Sequence, residues 1–214
     1  MLIFAAEAYN VEMGITNTLF PQERDETEGC QYNATPEDTL NFTTSPAGGS
    51  SKGVISDIEA FANFMRLLAP PTPTPDTPST ENGRTVFLRI GCAQCHTPSM
   101  TTGNRIASGS STRPSAALSN QAVNLFSDLL VHHMGQGLAD GISQGSAGPD
   151  EFRTAPLWGV GQRIFFLHDG RTSNLLETIE AHQSKGSEAN TVIDHFRKLK
   201  AQEQQNLLNF PRSL

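Results

Sequence analysis

The clearest periodic stretch is DIEAFANFMRLL at 57–68, where Ile58, Phe61, Met65 and Leu68 recur at helical spacing with Ala62 beside them. Ser56 followed three residues later by Glu59 is a capping-box start, so the spacing predicts a helix over 57–68 that buries its Phe and Met side. In NGRTVFLRIGCAQCH, at 82–96, the apolar positions Val86, Phe87 and Ile90 predict a short helix leading into the paired cysteines. NLLETIEAH puts Leu175, Ile179 and His182 on one helical face, and Asn174 with Glu177 gives a second capping-box pattern. Two further helices are expected, one through Val192, Phe196 and Leu199, the other through Leu207 and Leu208, with Pro211 ending or kinking the last. Residues 97–121, rich in Ser, Thr and Ala, read as a long irregular loop, and HHMGQGLADGISQGSAG is too rich in glycine for regular structure. Few runs alternate as strands do. The chain is therefore expected to be mainly α-helical with long loops.

One segment divides it. APPTPTPDTPST, at 69–80, has proline at a density that fixes φ and removes amide donors, so it reads as an extended connector. The boundaries expected are a first part at 1–70, a linker at 71–79 and a second domain at 80–214. A faint internal echo crosses the division. FANFMRLLAP (61–70) and LLNFPRSL (207–214) share Asn-Phe followed two residues later by Arg, which suggests two copies of one small domain.

Composition narrows the function classes. The net charge of −7 over 214 residues argues against a nucleic-acid partner, which needs clustered Lys and Arg to displace counterions. The opening MLIFAAEAYN has no positive n-region and too short an apolar run for a signal peptide or a membrane span, so the chain reads as beginning partway into something larger. Of the three cysteines, Cys92 and Cys95 belong to one motif, which leaves Cys30 either paired with sequence upstream or a free thiol.

That motif, GCAQCHTPS at 91–99, carries the chemistry. Cys-x-x-Cys-His is the attachment signature of a c-type haem. Cysteines one helical turn apart can add to the two vinyl groups along one porphyrin edge, and the next residue, His96, is carried beneath the ring to bind iron. Covalent attachment suits a small domain with a limited core. A zinc-stabilised module is the competing reading, since Cys92, Cys95 and His96 offer two or three of the four ligands a structural site wants. A thioredoxin-like redox pair would need a strand–helix setting that the pattern lacks.

The second axial position decides what such a haem does. A vacant site takes peroxide or small gases, whereas a second histidine or a methionine closes it for electron transfer. The candidates are His132, His133, Met134, His168, His182 and His195. His182 stands on an apolar helical stripe and Met134 lies in a glycine-rich segment of the kind that carries a loop-borne ligand. The residues alone leave these two level.

Four strings together, GCAQCHTPS, HHMGQGLADG, FRTAPLWGVGQRIFFLHDGR and SEANTVIDHFRKLKAQEQQNLLNFPRSL, resemble the di-haem oxidoreductases. These thiol oxidoreductase-like proteins are relatives of bacterial di-haem cytochrome c peroxidases and the MauG group. AEAYNVEMGITNTLFPQERDETEGC and DIEAFANFMRLLAPP extend the likeness over nearly the whole chain. The resemblance implies two cytochrome c-like domains, each with its own haem. On that basis 80–214 is the second domain, 1–70 is the tail of a first domain whose haem motif lay upstream, and the protein is periplasmic.

The resemblance also implies a ligand set. In related peroxidases the far-side ligand of the second haem follows the histidine of a Phe-His-x-Gly segment by fourteen residues, and here LHDG places His168 fourteen before His182. Bis-histidine ligation by His96 and His182 is then implied, with Met134 the alternative, and histidine in place of methionine lowers the potential. His168 becomes a residue near the haem edge. Arg153 and Arg171 become candidates for pairing with the propionates, and Trp158 a ring beside the haem. Calcium sits between domains in related peroxidases, but no carboxylate cluster in this sequence points to it. Two departures stand out: His133 where an aspartate is more typical, and Pro211 where the terminal helix would carry leucine, which should shorten that helix and loosen its packing. The function expected is an electron relay exchanging electrons with the first haem domain or a redox partner protein, the alternative being a peroxidase-like enzyme with an open haem site.

Overall fold

The computed structural model describes residues 1–24, 27–29, 36–38, 56–105 and 115–214. Cys30 lies outside the described residues. The chain forms two compact units, one made of Met1–Ala69 with Thr102–Gln121, the other of Pro70–Thr101 with Ala122–Leu214. Among the described residues the architecture is mainly α: six α-helices and two small antiparallel ribbons.

The first unit is built on α1 (Leu2–Met13) and α2 (Asp57–Leu67). The Ser56 hydroxyl accepts the Glu59 amide at the start of α2, as the capping pattern predicts. Ile58 and Ala62 bury against Ala5 and Ala6, with Tyr9, Phe20, Phe61 and Met65 packed around them. Leu68 does not join them. It caps the helix in extended backbone and is 57 % exposed, because the chain must turn away into the prolines that follow. The sequence gives no stripe for α1, whose apolar residues spread around the helix. Ile3 and Phe4 are exposed while Ala5 and Ala6 are fully buried.

The second unit holds the motif. Its prolines run along the end of the last helix, where the Thr74 amide donates to Ser213 O at 2.8 Å. Helix α3 (Pro78–Ile90) starts with Pro78 in its first turn and a Thr77–Thr80 capping box, and it ends at Gly91, φ +106°. That left-handed cap turns the chain directly into a 3-10 turn, Cys92–Gln94. The terminal helix α6 (Ala201–Arg212) crosses α3 so closely that a Cβ on Gly83 would lie 2.1 Å from Asn206 O. Around the crossing Val86, Phe87, Ile90, Phe126, Phe196, Leu207, Phe210 and Leu214 form one core. Phe87, Phe126 and Phe210 meet edge to face in a triangle with centroids 5.3–6.1 Å apart.

Pro211 does not shorten α6. The helix continues to Arg212, and Phe210, Pro211 and Leu214 are all buried. Proline costs a helix most in its interior. In the last turn it still removes the amide that would bond the carbonyl four residues back, and here the burial of Pro211 stands against that loss.

Helix α4 (Leu175–Glu180) begins at Asn174, whose side chain accepts the Leu176 amide, and α5 (Asn190–Arg197) buries Ile193 and Phe196. Strands β1 (Met100–Thr101) and β2 (Ala122–Val123) pair within this unit. A second ribbon corrects the expectation of irregular backbone at His132 and His133. Strand β3 (Val131–His133) pairs with β4 (Glu151–Arg153), His132 opposite Phe152. Its partner is remote in sequence, so local glycine content could not show it. No described helix is long and apolar enough to cross a membrane.

Candidate functional site

Cys92 and Cys95 lie at the turn after α3, where the amides of Cys95 and His96 both reach back to Cys92 O. Opposite stands the loop 126–130. Backbone bonds tie it to the motif: Phe126 N–H to Pro98 O at 3.3 Å, and Asp128 N–H to Cys95 O at 2.9 Å. Phe126 (φ +53°) and Leu129 (φ +61°) both adopt the left-handed region that non-glycine residues seldom enter. The bend keeps the Phe126 ring in the core while its carbonyl faces the motif.

That carbonyl fixes His96. The ring Nδ1 lies 3.0 Å from Phe126 O. A carbonyl only accepts, so Nδ1 carries the hydrogen and the neutral ring has a bare Nε2. Burial pushes the imidazole down to about 4, against the Phe126 bond, and the charge of His182 adds to the lowering. His182 repeats the arrangement. Just beyond α4, its Nδ1–H donates to Thr178 O at 2.7 Å, its amide donates to Ile179 O, and burial lowers its pKa. No buried polar side-chain atom among the described residues lacks a partner. Among the described residues neither His96 Nε2 nor His182 Nε2 has a hydrogen-bond partner, and burial holds both rings neutral.

The thiols face different surroundings. Burial pushes Cys92 up to about 12. Burial also raises Cys95, with the charges of Asp128 and Glu188 adding to it. Cys95 Sγ lies 3.8 Å from His132 Nδ1. The two His132 nitrogens meet two carboxylates, Nε2 with Asp128 Oδ2 at 2.9 Å and Nδ1 with Glu188 Oε2 at 2.8 Å. Such a ring is held as imidazolium: the Glu188 bond raises its pKa most and the Asp128 bond adds, against a smaller effect of burial. Burial pushes Asp128 up, but bonds from the Leu130 amide, His132 and Thr154 outweigh it and leave the carboxyl below its ordinary value. One donor each from Cys95, Asp128 and His132 all lie within 4.8 Å of one another.

The remaining candidates make their contacts elsewhere in the unit. His168 stacks on Phe152, centroids 4.3 Å apart, with Nε2 3.7 Å from Asp140. Arg171 is committed to Asp169 and to Gly137 O. Arg153 is exposed on β4 and forms no ion pair with a described residue. Trp158 is half-buried in the turn before the 3-10 helix Val160–Gln162, and His195 Nδ1 meets Ile90 O. Met134 N–H donates to Asp150 O at 2.7 Å, and Gly135 after it is packed against 184–187, so this glycine-rich segment is well anchored. His133 faces Asp150 and Glu151 across the ribbon.

Sequence reasoning missed Phe126, Asp128, Thr178 and Glu188. Two of these act through backbone carbonyls, which every residue type supplies, so no sequence signal marks them.

Over residues 3–214 the sequence matches the family described as "Di-haem oxidoreductase, putative peroxidase", and the chain belongs to that family. No curated protein and no solved structure was found to match it. The family implies haem cofactors. The donor set fits that group: two thiols one turn apart and two neutral imidazoles whose Nδ1–H groups are spent on carbonyls, leaving each Nε2 a bare donor atom.

Proposed function

We propose that residues 80–214 hold one covalent c-type haem and work as the electron-transfer domain of a di-haem oxidoreductase. Cys92 and Cys95 supply the thioether sulfurs, and His96 and His182 the axial nitrogens. The haem supplies a one-electron ferric–ferrous couple. The chain's own residues fix its surroundings. The Phe126 and Thr178 carbonyls hold each imidazole in the tautomer that presents Nε2, and burial keeps both rings neutral. The observation that carries the reading is this pair of carbonyl-anchored imidazoles, His96 directly after Cys95 and His182 near enough for its charge to act on His96.

The Asp128–His132–Glu188 cluster beside Cys95 sets two carboxylates against one imidazolium, a net negative charge that favours the oxidised state and so lowers the potential of the couple. Of the two arginines, Arg153 is better placed for a propionate, because Arg171 already spends its guanidinium on Asp169. His168 and Trp158 then border the site without binding iron. The chain carries a single Cys-x-x-Cys-His where the family carries two haems, so we assign residues 1–70 to a first cytochrome c-like domain and 71–79 to the connector. The terminal echo supports this, since both copies form helices that pack in their own units. Electrons then pass to or from that first haem domain or a redox partner protein. Haem attachment of this kind takes place outside the cytoplasm, which makes the protein periplasmic.

The test is intact mass and metal content of the chain exported through a haem c maturation system. One added haem with one iron, lost when Cys92 and Cys95 are both changed to Ala, is the expected result. No added mass would overturn the reading. One observation favours a second reading, a divalent metal on Cys95, Asp128 and His132, whose donor atoms already converge. Zinc without iron in the same analysis would establish it.

A further inference from the structure

The turn that carries His182 joins α4 to α5, and it is tied to the 132–137 segment at Ser184, Lys185 and Glu188, the Lys185 carbonyl accepting the Gln136 amide at 3.1 Å. Within the turn Ser187 Oγ donates to His182 O at 2.6 Å, and Ser184 exchanges two bonds with the Asn190 side chain, so 182–190 holds together as one piece. Outward, Ser184 Oγ donates to Met134 O and accepts the Gly137 amide. Glu188 does more. Its carboxylate accepts His132 Nδ1–H at 2.8 Å and the His133 amide at 3.0 Å, and its own amide donates to His133 O at 2.9 Å.

His132 is in turn fixed by Asp128, whose amide is bonded to Cys95 O. A continuous path therefore runs from the attachment cysteine beside His96, through Asp128, His132 and Glu188, to the turn that bears His182. The Glu188 side chain is 49 % exposed and belongs to neither core cluster, so packing does not explain why it is held so firmly.

We propose that Glu188 is a positioning residue, a latch that holds the His182 turn against β3 and so keeps His182 in its ligand position. The proposal rests on the bis-histidine reading above. With the latch cut, the turn can move as a unit and His182 can leave, which opens the sixth position to small ligands. The device links the electron-relay state of this domain to an open state through three hydrogen bonds at one residue.

The test compares wild type, Glu188→Ala, Glu188→Gln and Glu203→Ala, all as haem-loaded full chain, by ferric spin state, cyanide binding rate and thermal melting. Glu203 pairs with Arg89 at the α3–α6 crossing, away from the turn, so its variant controls for the loss of a surface ion pair. Glu188→Ala is expected to show a high-spin fraction and cyanide binding about ten-fold faster, the scale of losing a charge-assisted hydrogen bond that water partly replaces. Glu188→Gln keeps an acceptor for the His133 amide and should fall between. Glu203→Ala should lower the melting temperature without moving either ligand readout. If Glu188→Ala binds cyanide no faster than Glu203→Ala, the latch is wrong. A wild-type spectrum that does not respond to His182→Ala would overturn the ligand assignment itself, and the latch with it.

Discussion

His96 is held by Phe126: the ring Nδ1 lies 3.0 Å from the Phe126 carbonyl, while the Phe126 ring closes the aromatic triangle with Phe87 and Phe210. One residue thus ties the orientation of an imidazole to the packing of the core. Phe126→Ala should cost about 3–5 kcal/mol of stability, as removal of a buried aromatic ring usually does. It should also free His96 to rotate. Phe126→Leu has the same backbone carbonyl as Phe126→Ala but keeps most of the apolar volume that positions it, and should cost less than half as much. Denaturant titration of both variants measures the difference, and equal losses would deny the ring its role.

A second prediction concerns the helix crossing. A methyl group at Gly83 would meet Asn206 O at 2.1 Å, and one at Gly161 would meet Arg212 O at 2.2 Å. Both obstacles are backbone, so neither can swing aside. Gly83→Ala should separate α3 from α6 and destabilise the unit by roughly 2–4 kcal/mol, despite alanine's better helix propensity. Thermal melting reads this directly. A variant as stable as wild type would mean that the helices cross less tightly.

How much of this was legible in the sequence differs from residue to residue. Ile58, Ala62, Val86, Phe87, Ile90 and Phe196 announce their faces by spacing, and the Ser56 and Asn174 caps announce where helices begin. The motif Cys92–Cys95–His96 is readable because it is defined by spacing alone, and the turn after α3 keeps its three residues together. What the chain does not advertise is pairing across distance. Glu188 meets His132 and His133 only after β3 has found β4, and Thr178 and Phe126 contribute carbonyls common to all residues. Pro211 misleads for a related reason: the packing that buries it is not visible in the sequence, and here the helix runs on to Arg212.

The Asp128–His132–Glu188 cluster gives a pH dependence with a definite sign. The folded pKa of His132 is raised, so its contribution is complete below the unfolded value of about 6.5 and is lost as pH rises through the folded one. The Asp128 and Glu188 values are lowered, so theirs is present above their unfolded values of about 4 and is lost in acid. The cluster therefore stabilises most between about pH 4.5 and 6.5. The melting-temperature difference between wild type and His132→Gln should be largest there and shrink toward pH 9. A difference that grows with pH would contradict the imidazolium assignment.

Attachment should respond to each cysteine separately. Cys92→Ala and Cys95→Ala are each expected to retain one haem through the remaining thioether, and the double variant none. Intact mass after acid–acetone extraction distinguishes these cases, because only covalent haem survives it. Full retention in the double variant would place attachment elsewhere.

The most direct test of the central claim is the ferric absorption spectrum of the haem-loaded chain at neutral pH, with and without His182→Ala. Ligation by His96 and His182 predicts a low-spin spectrum in the wild type that the substitution converts to high-spin. A low-spin spectrum that persists in His182→Ala would contradict it and move the second ligand to another residue, with Met134 the first to examine.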